Sequence, residues 1–496
     1  MKFILVYLIF HLSFFVNGQD HDFFERFFRD QTLRIDYYHT GDAKSELITP
    51  DKIYQEGPWA GNPEKCIDPL QLGIYRIDIY DIATNRLIYS NGYSTIFAEY
   101  QITAPALQGI RKTYHESVLI PGPRKPFLLI IQKRDKQNIP VPLYSQTIDP
   151  EDFHIVTSKF RNRNDEVIPV VSNGNSHICV DLVILAEGYQ ISEREKFRND
   201  LKYYSELLFS VEPYKSRKKL FNVKGIFGPS EESGTDEPRQ GIYKNTRLGS
   251  SFNALDLDRY CLDEENKSIR DMAGQVPYDA ILIMVNRDRY GGGGIYNWQT
   301  VFCTGSPWHD YVFLHEFGHA FAGLGDEYFS SPVSYQDFVT PGVEPLDPNI
   351  TILPDTANVK WKKYLSPGIQ VPTEWGKSTY DSLNNLITAL SAEQDMVTGQ
   401  LAKGGEPPEK IEKTRMEFQK KLNRLNMDLD DFINHHPLKD KVGVFEGANY
   451  TSKGFYRPTI MSLMHKFNAH DKSYGIVNEE AIINAIHYYT GNGNRP

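Results

Sequence analysis

Cysteine is scarce: Cys66, Cys179, Cys261 and Cys303 are the only four in 496 residues. Their number and wide spacing exclude a disulfide-built scaffold and a CxxC zinc knuckle, although a Cys261–Cys303 bond stays open for an exported chain. A basic block is also missing. With 54 Lys and Arg against 64 Asp and Glu, the net charge is −10, and nothing tracks a phosphate backbone, so nucleic acid is not expected as a partner. Beyond the first twenty residues no run is apolar enough to cross a bilayer. There is no internal repeat and no serine or cysteine nucleophile elbow.

The chain opens MKFILVYLIFHLSFFVNGQD, with one early lysine, an apolar run broken by His11 and Ser13, and then the small Gly18. This reads as a secretory signal over residues 1–18, removed on export, which leaves no membrane span and a secreted, periplasmic or cell-surface protein. A mature chain of roughly 475 residues exceeds what one core supports. Two textures follow. After a short amphipathic helix at 21–30, alternating segments at 33–39, 73–81, 86–94 and 127–135, with Pro121-Gly122-Pro123 as a turn breaker, predict an antiparallel β-sandwich over 19–165. From 175 to 496 the pattern is mixed α/β. Apolar strands at 180–189, 220–228 and 278–286 alternate with helices, the first capped by Ser192 and Glu195, which predicts a sheet covered on both faces.

Four glycines, Gly291 to Gly294, lack the lysine and Ser/Thr ending of a phosphate loop. A turn into an edge strand fits better. In that case Gly293, Gly294, Ile295 and Tyr296 can pair with an extended peptide. Between 380 and 436, leucines at three-four spacing (Leu383, Leu386 and Leu390; Leu422, Leu425 and Leu429) predict a helical hairpin inserted in the second domain.

The chemistry lies in FLHEFGHAFAGLGDEY, residues 313–328. Helical residues four apart share a face, so His315 and His319 can direct two imidazoles at one zinc ion per chain. Glu316, about 100° further round, is placed to act as general base. Gly323 and Gly325 can stop the helix and turn the chain back. Asp326 or Glu327 then supplies a third ligand. Such a site points to hydrolysis of a protein or peptide substrate.

These residues, together with RIDYYHTGD at 34–42, LAEGY at 185–189, RYGGGGIYN at 289–297, VGVFEGANY at 442–450 and YRPTIMSLM at 456–464, resemble the IgA-peptidase-type family of zinc metallopeptidases. The resemblance implies an N-terminal β-sandwich, a metzincin-like catalytic domain and peptide-bond hydrolysis. Met464 resembles the methionine beneath the metal in metzincins, with Met461 as the rival. One departure stands out: the metzincin pattern has glycine seven and histidine ten residues after the first ligand, where this chain has Ala322 and Gly325. The first available ligand is Asp326, eleven residues on, with Glu327 as the alternative. Two other readings keep the same residues: a catalytically inactive surface binding protein, and a zinc amidase acting on cell-wall peptides.

Overall fold

The computed structural model describes residues 22–157, 164–329, 340–466 and 472–491, so the expected signal segment lies outside the described residues. The first part holds α1 (Phe23–Phe27), β1 (Phe28–Gly41), β2 (Glu46–Gln55), β3 (Tyr75–Asp81) and β4 (Arg86–Tyr93). It continues with α2 (Ile96–Tyr100), α3 (Ala104–Leu107), β5 (Lys112–Pro123), β6 (Phe127–Arg134) and β7 (Pro140–Ile148). Two antiparallel sheets result, ordered β2-β1-β5 and β4-β3-β6-β7. Ile35, Val118 and Ile120 from the first share a core with Ile77, Ile79, Leu129 and Ile131 from the second. Each such side chain contributes roughly 1.5–3 kcal/mol by leaving water. The Tyr37 and Tyr93 hydroxyls join the sheets at 2.9 Å.

Two expectations need correction here. The opening helix stops at Phe27, because Phe28 is already in register with Pro123 of β5. Pro121-Gly122-Pro123 is not a turn but the end of β5, opposite a break in β1 register between Arg29 and Thr32, where missing amide donors do little harm.

The second part begins with β8 (Glu166–Val171), β9 (Val180–Glu187), α4 (Arg194–Leu208), β10 (Phe221–Phe227) and α5 (Asn266–Ala273). Then come β11 (Ala280–Val285), β12 (Gly292–Ile295), β13 (Gln299–Cys303) and α6 (His309–Ala322). The six-stranded sheet runs β12-β13-β11-β9-β10-β8. Its four inner strands are parallel, and β12 and β8 lie antiparallel at the edges. The capping box ahead of α4 sits two residues earlier than expected: Glu193 accepts from the Gln190 amide at 2.9 Å.

All eight residues of β9 are buried, but different layers cover its two faces. Leu182 and Ile184 pack with α4, α6 and the C-terminal α9 (Ile476–Thr490); Val183 and Leu185 belong to one core with α5 and the N-terminal sheets. Both faces are covered as expected, one by helices and the other by α5 together with β-structure. A continuous apolar strand records that both faces are buried, not what buries them.

The hairpin is formed by α7 (Lys377–Lys403) and α8 (Pro408–Asn434). Tyr380, Leu429 and Ile433 root it beside Trp375 and Phe445, whereas Leu386 of the predicted stripe is 55% exposed. A two-stranded ribbon of β14 (Phe445–Ala448) and β15 (Thr451–Arg457) follows. Among the described residues no helix is long and apolar enough to cross a membrane.

Candidate metal centre

Helix α6 carries His315 and His319 one turn apart and ends at Gly323, whose φ of +61° only glycine adopts without cost. The Gly323 amide bonds to the His319 carbonyl at 3.0 Å, and the chain reverses. Gly325 is then clamped by the Asn349 side chain, which accepts from its amide at 2.8 Å and donates to its carbonyl at 2.9 Å. The reversal carries Asp326 back onto the histidines.

The resulting triangle is tight. His315 Nε2 and His319 Nε2 are 3.0 Å apart, and Asp326 Oδ1 lies 3.0 Å from the first and 3.2 Å from the second. Each Nδ1 faces a backbone carbonyl, Leu463 at 2.9 Å for His315 and Leu324 at 2.5 Å for His319. Those carbonyls take the ring protons, so both Nε2 lone pairs point inward. Two nitrogen lone pairs and a carboxylate oxygen at this spacing repel one another unless a proton or a metal ion lies between them. The donor set therefore fits a zinc-type ion. Burial disfavours a charged His319, yet the Asp326 carboxylate overrides it and raises the imidazole from 6.5 to about 10. Burial likewise opposes the Asp326 charge, but His319 and then His315 hold its pKa well below the usual carboxylate range.

Glu327 takes no part in the triangle. It is fully buried and points away, accepting from Ser462 Oγ at 2.6 Å, Asn478 Nδ2 at 2.8 Å and Asn349 Nδ2 at 3.0 Å. Its amide bonds to the Met464 carbonyl at 2.8 Å. The adjacent carboxylate thus fixes the floor of the site. Met464 is itself fully buried beneath α6: a Cβ on Gly318 would come within 2.9 Å of its sulfur.

The model of the IgA peptidase M64 family matches residues 168–486, and that of the peptidase M64 N-terminus matches residues 23–144. The chain belongs to the IgA peptidase M64 family. This is a family of metallopeptidases, in keeping with the histidine–aspartate triangle. No curated protein matches the sequence.

Glu316 lines the M64 cleft with His315, His319, Tyr290 and the glycine strand β12. The opposite wall comes from the N-terminal part, through Leu72, Ile74, Glu99, Lys133 and Lys136. Of the predicted strand residues, Gly294, Ile295 and Tyr296 line the cleft, whereas Gly293 faces Leu262 and Tyr260. The Tyr296 carbonyl already accepts from the Ser94 amide at 2.9 Å. Gly294 answers to packing as well: a Cβ there would fall 2.1 Å from the Glu316 carbonyl oxygen. Gly294→Ala is expected to force β12 from α6, costing ~1–3 kcal/mol or more in urea unfolding and lowering turnover.

Cys261 and Cys303 are buried free thiols in hydrogen-bond contact with each other. The disulfide left open by sequence is absent from this structure.

Tyr450 escaped the sequence reading. The β14–β15 turn places Asn449 and Tyr450 at φ of +50° and +58°, unusual for a tyrosine, and thereby brings its hydroxyl to donate to Asp326 Oδ2. Its only signal in the sequence is the GANY that ends VGVFEGANY at 442–450. Removing that support in Tyr450→Phe is expected to weaken metal affinity ~10–100-fold in chelator competition, with the fold intact.

Proposed function

We propose that this chain is a secreted zinc peptidase in which His315, His319 and Asp326 hold the metal and Glu316 is the general base. The observation that carries this reading is the convergence of His315 Nε2, His319 Nε2 and Asp326 Oδ1 within 3.0–3.2 Å, beside a cleft that Glu316 lines. An ion held there would supply the Lewis acidity needed to acidify a water molecule and polarise the scissile carbonyl. Glu316 accepts the proton from the attacking water and delivers it to the departing amine. Met464 serves as the apolar floor of a metzincin-like centre, consistent with its sulfur under Gly318.

The cleft between the two parts suits an extended chain, and β12 is the edge strand beside Glu316. A peptide pairing with Gly294 would lie along the cleft past His315, His319 and Glu316, with its side chains against Leu72 and Ile74. Digestion of a diverse peptide library, with products read by mass spectrometry, tests the reading. Cleavage that stops with a zinc chelator and returns with zinc is expected. A metal-loaded protein that cuts no peptide in the library would turn the assignment toward an inactive binding protein.

A further inference from the structure

A second convergence of metal-ligating atoms lies in the N-terminal part. Strand β1 supplies Asp36, β2 supplies Asp51 and β5 supplies His115. Pairing alone brings them together: Tyr38 opposes His115 and Asp36 opposes Ser117, so Asp36 and His115 share one face. The β1–β2 register slips between Ile35 and Tyr37, and this bulge turns Asp51 toward the same spot.

His115 Nε2 lies 3.6 Å from Asp36 Oδ2 and 3.5 Å from Asp51 Oδ2. Ligand atoms around a four-coordinate ion with ~2.0–2.1 Å bonds stand about 3.4 Å apart, so the spacing matches. None of these three atoms makes a hydrogen bond, and all three are screened from solvent. The Asp36 side chain is wholly buried, and its other oxygen accepts from Ser117 Oγ at 2.6 Å and lies 3.0 Å from Arg34 Nε in an ion pair. Its Oδ2 is left aimed into the gap. Burying a carboxylate oxygen without a partner is costly, and a cation removes that cost.

The surrounding charges permit one. Arg34 is also engaged by Glu56 at 3.0 Å and Asp271 at 2.7 Å, while Arg270 and Lys267 complete the local cations. Four carboxylates therefore face three cationic side chains. His115 and Asp51 keep 12% and 19% of their side-chain surface, enough for an ion to enter.

We propose that Asp36, Asp51 and His115 form a second divalent-cation site, one whose mixed imidazole and carboxylate ligands favour a zinc-type ion over magnesium or calcium. The site stands at the seam between the two parts, because Asn266 of α5 lies 3.1 Å from His115 Nδ1 and donates to Ser117 Oγ at 2.8 Å. Zinc needs the Nε2 lone pair. Loading therefore moves the His115 proton to Nδ1, and Asn266, held by Ser117 Oγ and by Arg270 Nε at 3.3 Å, gives up its contact with that nitrogen.

Zinc itself is the probe. Full-length protein is stripped with chelator, loaded with zinc, desalted and analysed for metal. Two equivalents are expected in the parent chain, and one each in His319→Ala and in Asp51→Asn. Asp51→Asn should keep its peptidase turnover, and zinc should still raise the melting midpoint of His319→Ala but not of the His319→Ala, His115→Ala double variant. Saturation of the parent at one equivalent overturns the proposal without any variant having to fold. So does a count of two that survives Asp51→Asn, since the extra ion then sits elsewhere. Loss of both ions in His319→Ala would overturn the independence of the sites. A failure of peptide cleavage alone leaves these counts unaffected.

Discussion

Replacing Glu316 by glutamine is expected to slow peptide turnover by ~10²–10⁴ while zinc stays on the histidines, since general acid–base assistance is worth about that much. The substitution keeps the side chain's size and its place over Gly292, whose Cβ position is 3.4 Å from Glu316 Cγ. What it removes is the oxygen able to take a proton from water. Neither imidazole can substitute, because both Nδ1 atoms are committed to carbonyls and both Nε2 atoms to the centre. The measurement is single-turnover cleavage of a library-derived peptide alongside metal analysis of the same preparation. A folded, loaded Glu316→Gln protein with nearly parental turnover would show that another group is the base.

The second large effect separates two neighbouring carboxylates. Asp326→Asn is expected to abolish tight zinc binding at the triangle, since it removes the charge 3.0–3.2 Å from both imidazole nitrogens. Glu327→Gln is expected to hold zinc to within ~10–100-fold of the parent. Its cost falls on stability, ~1–3 kcal/mol, because Ser462, Asn349 and Asn478 all donate to the Glu327 oxygens and an amide reverses one acceptor. Chelator competition and urea unfolding on both variants give the comparison. If Glu327→Gln loses zinc more readily than Asp326→Asn, the ligand role passes to Glu327.

What could be read in the chain without its fold is what short range dictates. Histidines four apart on a helix share a face wherever the helix sits, and Gly323 fixes the reversal that returns Asp326, so the triangle spans only twelve positions, 315–326. The alternation of β1, β3, β4 and β6 and the apolar continuity of β9 are likewise local. Strands β2, β5 and β7 were missed because prolines and charges interrupt their alternation, and pairing rather than pattern makes them strands. The choice between Asp326 and Glu327 was open in sequence because both follow the same turn. Partners from remote segments set where each carboxylate points: Tyr450 holds Asp326 beside the histidines, and Asn349, Ser462 and Asn478 hold Glu327 away from them. No sequence period links residues 36, 51 and 115 either; only the register of three strands and one bulge brings them within 3.6 Å. Local geometry repeats along the backbone and leaves a pattern, whereas contacts closed by tertiary packing join residues whose separation carries no regular signal.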